Sequence, residues 1–213
     1  MAVPVAPTAL VAAHGDTTAT ISFTQVAATP AITNYKYTIN DTDYTALSPV
    51  DAASPITITG LTNGTEYTIK IKAVNSDGDG AASAAVTVTP STTPAAPTNL
   101  SAAVGDNKSV ITFTPGATGG SAITDYEYSV NTGEWKPLGD TASPVTIPGL
   151  QNDVESSIRL RAVNANGKGA ASAAATVTPT DASAANNDGW TDANSFANPA
   201  MLVPNLDWND PDD

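Results

Sequence analysis

Few residues of this 213-residue chain could do chemistry. There is no cysteine and one histidine, which excludes disulfides, thiolate metal sites and cysteine nucleophiles and leaves His14 as the one place for a triad or a zinc centre. His14 precedes Gly15 in what reads as a turn, without the nucleophile and orienting group that a histidine base requires. Asn75-Ser-Asp77-Gly-Asp79-Gly80 has the oxygen-rich opening of a calcium loop. The glutamate expected at the twelfth position of such a loop is Val86, so the stretch reads better as a Gly-rich turn between strands. The acid pair Asp41 and Asp43 could serve hydrolysis, but nothing in the sequence lines it with a pocket. No catalytic residue, metal ligand or cofactor is expected.

Binding chemistry is better represented. Tyr44 and Trp135 occupy matching places at strand turns, where an aromatic ring either contacts a partner, such as a sugar, or covers the edge of its own core. Residues 180–213 hold seven Asp, no Lys or Arg, and the apolar set Trp190, Phe196, Met201, Leu202, Val203, Leu206 and Trp208. A solvated acidic tail rarely carries so many large apolar groups. The expectation is a tail anchor, laid into a groove or against a sheet edge of a protein partner; the competing reading is a solubilising extension packed back on the preceding domain.

The elements that must position these residues come in two copies. Pro7-Thr-Ala-Leu10 matches Pro97-Thr-Asn-Leu100, Phe23 matches Phe113, Ile32-Thr-Asn-Tyr35 matches Ile123-Thr-Asp-Tyr126, and Ala73-Val-Asn75 matches Ala162-Val-Asn164, all displaced by about 90 residues. The unit is therefore a domain: residues 1–90, a Pro/Thr/Ala linker at 91–96, and residues 97–179, followed by the tail at 180–213. Within each copy apolar residues alternate with Thr and Lys, as in Tyr67, Ile69, Ile71 and Ala73, and turn pairs such as Asn63-Gly64 and Asp77-Gly78 separate the runs. The predicted class is all-β, two sandwiches in tandem.

Both copies resemble fibronectin type III domains. The specific block is Gly60-Leu61 followed by Tyr67, alternating Ile69 and Ile71, Ala73-Val-Asn75, Gly78, Gly80 and Ser83. The resemblance implies two immunoglobulin-like sandwiches and no particular function. Two departures stand out. The family's usual second-strand tryptophan is Phe23 and Phe113, and the corner tyrosine at Tyr67 is Ser156 in the second copy, which is expected to be the less stable of the two.

A net charge of −13 argues against a nucleic-acid partner, because few cations are available to displace phosphate counterions. No stretch has the length of a membrane span, and the N-terminus lacks the pattern of a secretory leader. No Arg-Gly-Asp occurs, and the acceptor patterns at Asn40, Asn63 and Asn107 are expected to be chance in a chain rich in Asn and Thr. The sequence reading is a non-enzymatic virion decoration protein. Its tail would bind a capsid or tail assembly protein, and its sandwiches would offer weak contacts to a host-surface glycan. The alternative is a pair of spacer modules from a secreted bacterial carbohydrate-active enzyme or adhesin. A virion surface or extracellular location follows from either.

Overall fold

The computed structural model describes residues 2–41 and 43–181, so the tail-anchor residues from Trp190 to Trp208 lie outside the described residues. In the first domain, β1 (Thr8–Gly15), β2 (Thr18–Thr24) and β5 (Ile56–Thr59) form one antiparallel sheet in the order β1-β2-β5. The second sheet runs β4 (Thr45–Ala46), β3 (Asn34–Thr38), β6 (Tyr67–Asn75) and β7 (Gly78–Asp79), with β8 (Val86–Val88) also on β6. The sequence neighbours β2 and β3 lie in different sheets, which is how the alternating strands bury one face each in a shared core.

The second domain repeats this plan. β9 (Thr98–Gly105), β10 (Lys108–Thr114) and β13 (Val145–Pro148) make the smaller sheet. β12 (Lys136–Pro137), β11 (Ile123–Val130), β14 (Ser156–Asn164) and β15 (Gly167–Lys168) make the larger one, with β16 (Ala175–Val177) on β14. All-β architecture is thus observed as two sandwiches, and among the described residues there is no helix.

Each core is built from the inward residues of both sheets: Ile21, Ile56, Ile58, Ile69 and Ile71 in the first domain, Ile111, Val145, Ile147, Ile158 and Leu160 in the second. The phenylalanines standing where the family keeps tryptophan pack edge to face on the third-strand tyrosines, Phe23 on Tyr35 at 4.8 Å and Phe113 on Tyr126 at 4.7 Å between ring centroids. Such ring pairs add about 0.5–1.5 kcal/mol to simple burial.

The last strand of each domain is interrupted, and a buried serine bridges the gap. Ser83 Oγ accepts from Ile71 N–H at 3.0 Å while Ser83 N–H donates to Ile71 O at 2.9 Å; Ser172 does the same for Leu160. These hydroxyls stand in for the ladder partners that the break removes. At the corner of the first domain Tyr67 Oη accepts a hydrogen bond from Thr62 N–H at 3.0 Å, and this lowers the phenol pKa. Ser156 holds the matching place in the second domain, opposite Val177 as Tyr67 is opposite Val88.

Candidate interaction sites on the second sheet and at the joint

Alternation places Lys36, Lys70 and Lys72 on the outer face of β3 and β6, and Arg159, Arg161 and Lys168 on the outer face of β14 and β15. Six of the eight cationic residues in an acidic chain therefore lie on the outer faces of the two larger sheets.

In the second domain these residues surround one carboxylate. Glu127 on β11 is the direct cross-strand neighbour of Arg161 on β14. Arg161 Nη2 lies 2.6 Å and Nε 2.7 Å from Glu127 Oε2, and Lys168 Nζ lies 2.9 Å from Oε1. Glu127 is 8% exposed although it is on the outer face. Burial pushes its carboxyl upward, but hydrogen bonds from Lys168 and Arg161, together with their charges, outweigh this and hold it below the ordinary glutamate range. The Trp135 ring stacks on the Arg161 guanidinium at 4.3 Å, a cation–π contact on the side away from the core. Ser129, next along the strand on the same face, is buried and donates to Gly133 O at 2.7 Å, which ties the Trp135 turn to the sheet.

The first domain carries the same arrangement with charges exchanged. Lys36 stands where Glu127 does and Asp79 where Lys168 does, and their separation is again 2.9 Å. Tyr44 covers Lys72 at 4.0 Å as Trp135 covers Arg161, and Asp41 pairs with Lys70 at 2.7 Å. Tyr44 and Trp135 thus each lie over a cation of their own sheet, on its outer face and not on the core edge. Asp41 and Asp79 are engaged in ion pairs, and Asp77 accepts from Ala2 N–H at 2.9 Å, so the calcium-like stretch is a strand turn with its carboxylates in use. Among the described residues no group of three or more His, Asp or Glu side chains is placed to hold a metal.

The second feature is the joint. Asn164 Nδ2 donates to Thr92 O at 2.8 Å and to Thr118 O at 2.9 Å, clamping the incoming linker to the loop between β10 and β11. Asn75 does the same for the first domain, to Ala2 O at 3.0 Å and Pro30 O at 3.1 Å. The linker is also held from both sides by its backbone: Ser91 N–H donates to Gly15 O, Thr92 N–H to Gly119 O, and Ala95 N–H to Ala117 O. His14 lies in β1 and not in the turn that follows it, and its Nδ1 is 3.3 Å from Ser91 Oγ, so the one histidine abuts the linker. Asn63 donates to Asp16 Oδ1 at 2.8 Å and accepts from Thr17 N–H at 2.9 Å, so this acceptor pattern has its amide in use. A shallow cleft of about 700 Å³ opens between the domains, lined by Asn63, Gly64, linker residues and the β10–β11 loop, with no titratable side chain among its lining.

The clamp asparagines were legible as part of the repeated Ala-Val-Asn motif, though their role was not. Trp135 and Tyr44 were legible as matching aromatics; the cations beneath them were not, because the contact joins residues far apart in sequence.

Two sandwiches of matching topology, joined by a clamped linker, define a tandem of immunoglobulin-like β-modules. The fibronectin type III domain profile matches residues 5–89 and 95–178. The chain belongs to the fibronectin type III family, whose domains are in general non-catalytic modules. It is similar to Chitinase A1 of Niallia circulans, 36% identical over 121 residues, a match covering 52% of this chain and 17% of that protein. Among solved structures, the chicken CNTN1 FN1–FN3 domains align over 84% of this chain and 68% of that one, at 15% identity and a TM-score of 0.45.

Proposed function

We propose that the chain is a non-catalytic spacer and display module, in which two sandwiches are held at a set angle and present their larger sheets and the C-terminal segment to other molecules. The observation that carries this reading is the joint: the linker is hydrogen-bonded to both domains, and one buried asparagine ties it to a loop of the second. A spacer has to transmit position, and a clamped linker does so where a Gly/Ser coil would not. Residual dipolar couplings on the full chain test this. One alignment tensor for both domains is expected; two independent tensors would overturn it.

A second reading is favoured by the match to Chitinase A1, namely that these modules space or orient a polysaccharide-acting domain. Chitin pull-down of the full chain, compared with Trp135→Ala, tests whether the sandwiches also touch the polymer. The finer reading as a virion decoration, anchored through Trp190, Phe196, Met201, Leu202, Val203, Leu206 and Trp208, is supported by the composition of residues 180–213. Particles that assemble fully with this segment deleted would dismiss it.

A further inference from the structure

We propose that His14, Ser91 and Asn166 form a proton-dependent latch across the joint: an imidazolium at His14 completes a two-bond relay from the first domain through the linker to the second, and a neutral ring leaves it incomplete. The latch rests on the reading of the joint as a set angle and concerns how that joint is regulated.

Ser91 Oγ lies 3.3 Å from His14 Nδ1 and 3.4 Å from Asn166 Oδ1. The Asn166 amide is oriented by its nitrogen, which donates to Thr92 O at 3.1 Å, so the oxygen is the atom turned to Ser91. Asn166 N–H in turn donates to Oδ1 of the clamp residue Asn164 at 2.9 Å, and Ser91 N–H donates to Gly15 O at 3.2 Å, beside His14. The three side chains therefore span the joint.

A hydroxyl has one hydrogen to give. When the imidazole is neutral with its proton on Nε2, Nδ1 and Asn166 Oδ1 are both acceptors, and Ser91 can satisfy one of them at a time. Once Nδ1 carries a proton, His14 donates to Ser91 Oγ and Ser91 donates to Asn166 Oδ1. Two bonds then stand in series, the first of them charge-assisted. No hydrogen-bond partner of Nε2 is found among the described residues, so none of them holds the neutral ring in its Nδ1–H form. Proton binding and closure favour each other by the same factor. The added hold is present on the acid side of the imidazole range and lost as the pH rises through it.

The repeat marks these residues as belonging to the joint. In the other copy the place of His14 is taken by Val104, that of Asn166 by Asp77, and that of Ser91, after the closing Val-Thr-Pro, by Thr180. Asp77 is used differently, accepting from Ala2 N–H.

His14 is exposed and makes no ion pair among the described residues. The strands against β1, which are β2 and β8, hold no titratable residue, and neither does the linker at 91–96. The charged groups in the loops at this end of the first domain are Asp16, Asp41, Asp43 and Glu66, with Asp16 held by Asn63 and Asp41 by Lys70. Across the joint, Lys168 is bonded to Glu127. The four acids favour an imidazolium whether the joint is open or closed, so the difference between the two states comes from Ser91.

The test follows the His14 ring nitrogens of the full chain by NMR through a pH titration, in the wild type and in Ser91→Ala. Neutral His14 should carry its proton on Nε2, and Ser91→Ala should lower the proton affinity of the ring several-fold. Exchange protection of the Ser91 and Thr92 amides, corrected for the intrinsic pH dependence, should be several-fold higher at about pH 5.5 than at about pH 8, either side of the imidazole range. It should be the same at both in His14→Val, which takes the residue of the second domain. A neutral ring protonated on Nδ1, an affinity unchanged by Ser91→Ala, or a pH effect that persists in His14→Val overturns the latch. Dipolar couplings at the two pH values separate this from the spacer reading. One alignment tensor at both, with unchanged protection, overturns the latch and leaves the set joint standing. Two tensors at both, with the Ser91 effect on the ring intact, overturn the set joint and leave the relay.

Discussion

Gly64 of the first domain and Gly120 of the second meet backbone to backbone: a β-carbon on Gly64 would lie 3.1 Å from Gly120 Cα, and one on Gly120 would overlap the Gly64 nitrogen. Both have positive φ, +81° and +84°. This contact is specific to the joint in sequence as well as in space, because the second domain has Asp153 where the first has Gly64, and the loop of the first domain has Pro30 near the place of Gly120.

Gly120→Ala should therefore open the joint. The left-handed conformation costs a side chain about 1–2 kcal/mol, and the overlap with Gly64 adds to it. Small-angle scattering should show a broader distribution of interdomain distances, with the unfolding midpoint of the first domain unchanged.

Asn164→Ala removes both clamp bonds and leaves the Thr92 and Thr118 carbonyls without that donor. At about 1 kcal/mol for each bond, the second domain should lose about 2 kcal/mol in denaturant unfolding, and hydrogen exchange should rise at Ala95. The matching Asn75→Ala should affect the first domain alone.

Glu127 makes the second domain sensitive to acid. Its folded pKa is held below the unfolded value, so its contribution is present above about pH 4.3, the ordinary glutamate value, and is lost as the pH falls through the lower folded value. Glu127→Gln should cost about 1.5–3 kcal/mol at neutral pH, the range for hydrogen bonds to charged groups. It should also flatten the acid limb of the stability curve. An acid limb unchanged in the variant would refute this assignment.

Tyr35 Oη is buried and has no hydrogen-bond partner among the described residues, and burial, with the Asp51 charge adding to it, pushes its pKa up to about 12. Tyr35→Phe keeps the edge contact with Phe23 and removes a polar atom that has lost its water. The first domain should become more stable by about 1 kcal/mol, since an unsatisfied buried group costs roughly 1–3 kcal/mol. A lower midpoint in thermal unfolding would show that the hydroxyl has a partner.

Ser156→Tyr restores the corner residue and should raise the unfolding midpoint of the second domain, while Tyr67→Phe, which loses the bond from Thr62 N–H, should lower that of the first. Differential scanning calorimetry of the full chain reads both transitions together.

The repeat, the alternation and the Gly60-Leu61 to Ser83 block were enough to specify two sandwiches, because a period of two decides which side chains a strand buries whatever lies beyond it. Ile69, Ile71, Leu160 and the paired Phe–Tyr rings sit where that period puts them. What the period leaves open is what covers the other face. Trp135 reaches Arg161 because its turn bends back through positive φ at Asn131 and Thr132, and because β11 and β14 are in a register that sets Glu127 opposite Arg161. His14, Ser91 and Asn164 likewise meet at a joint that no local pattern encodes. Local sequence decided the strands and their buried faces, since each depends on a few neighbouring residues; the tertiary structure decided the ion pairs, the stacked rings and the clamp, since each needs groups tens of residues apart brought within 3–4 Å by register and loop closure.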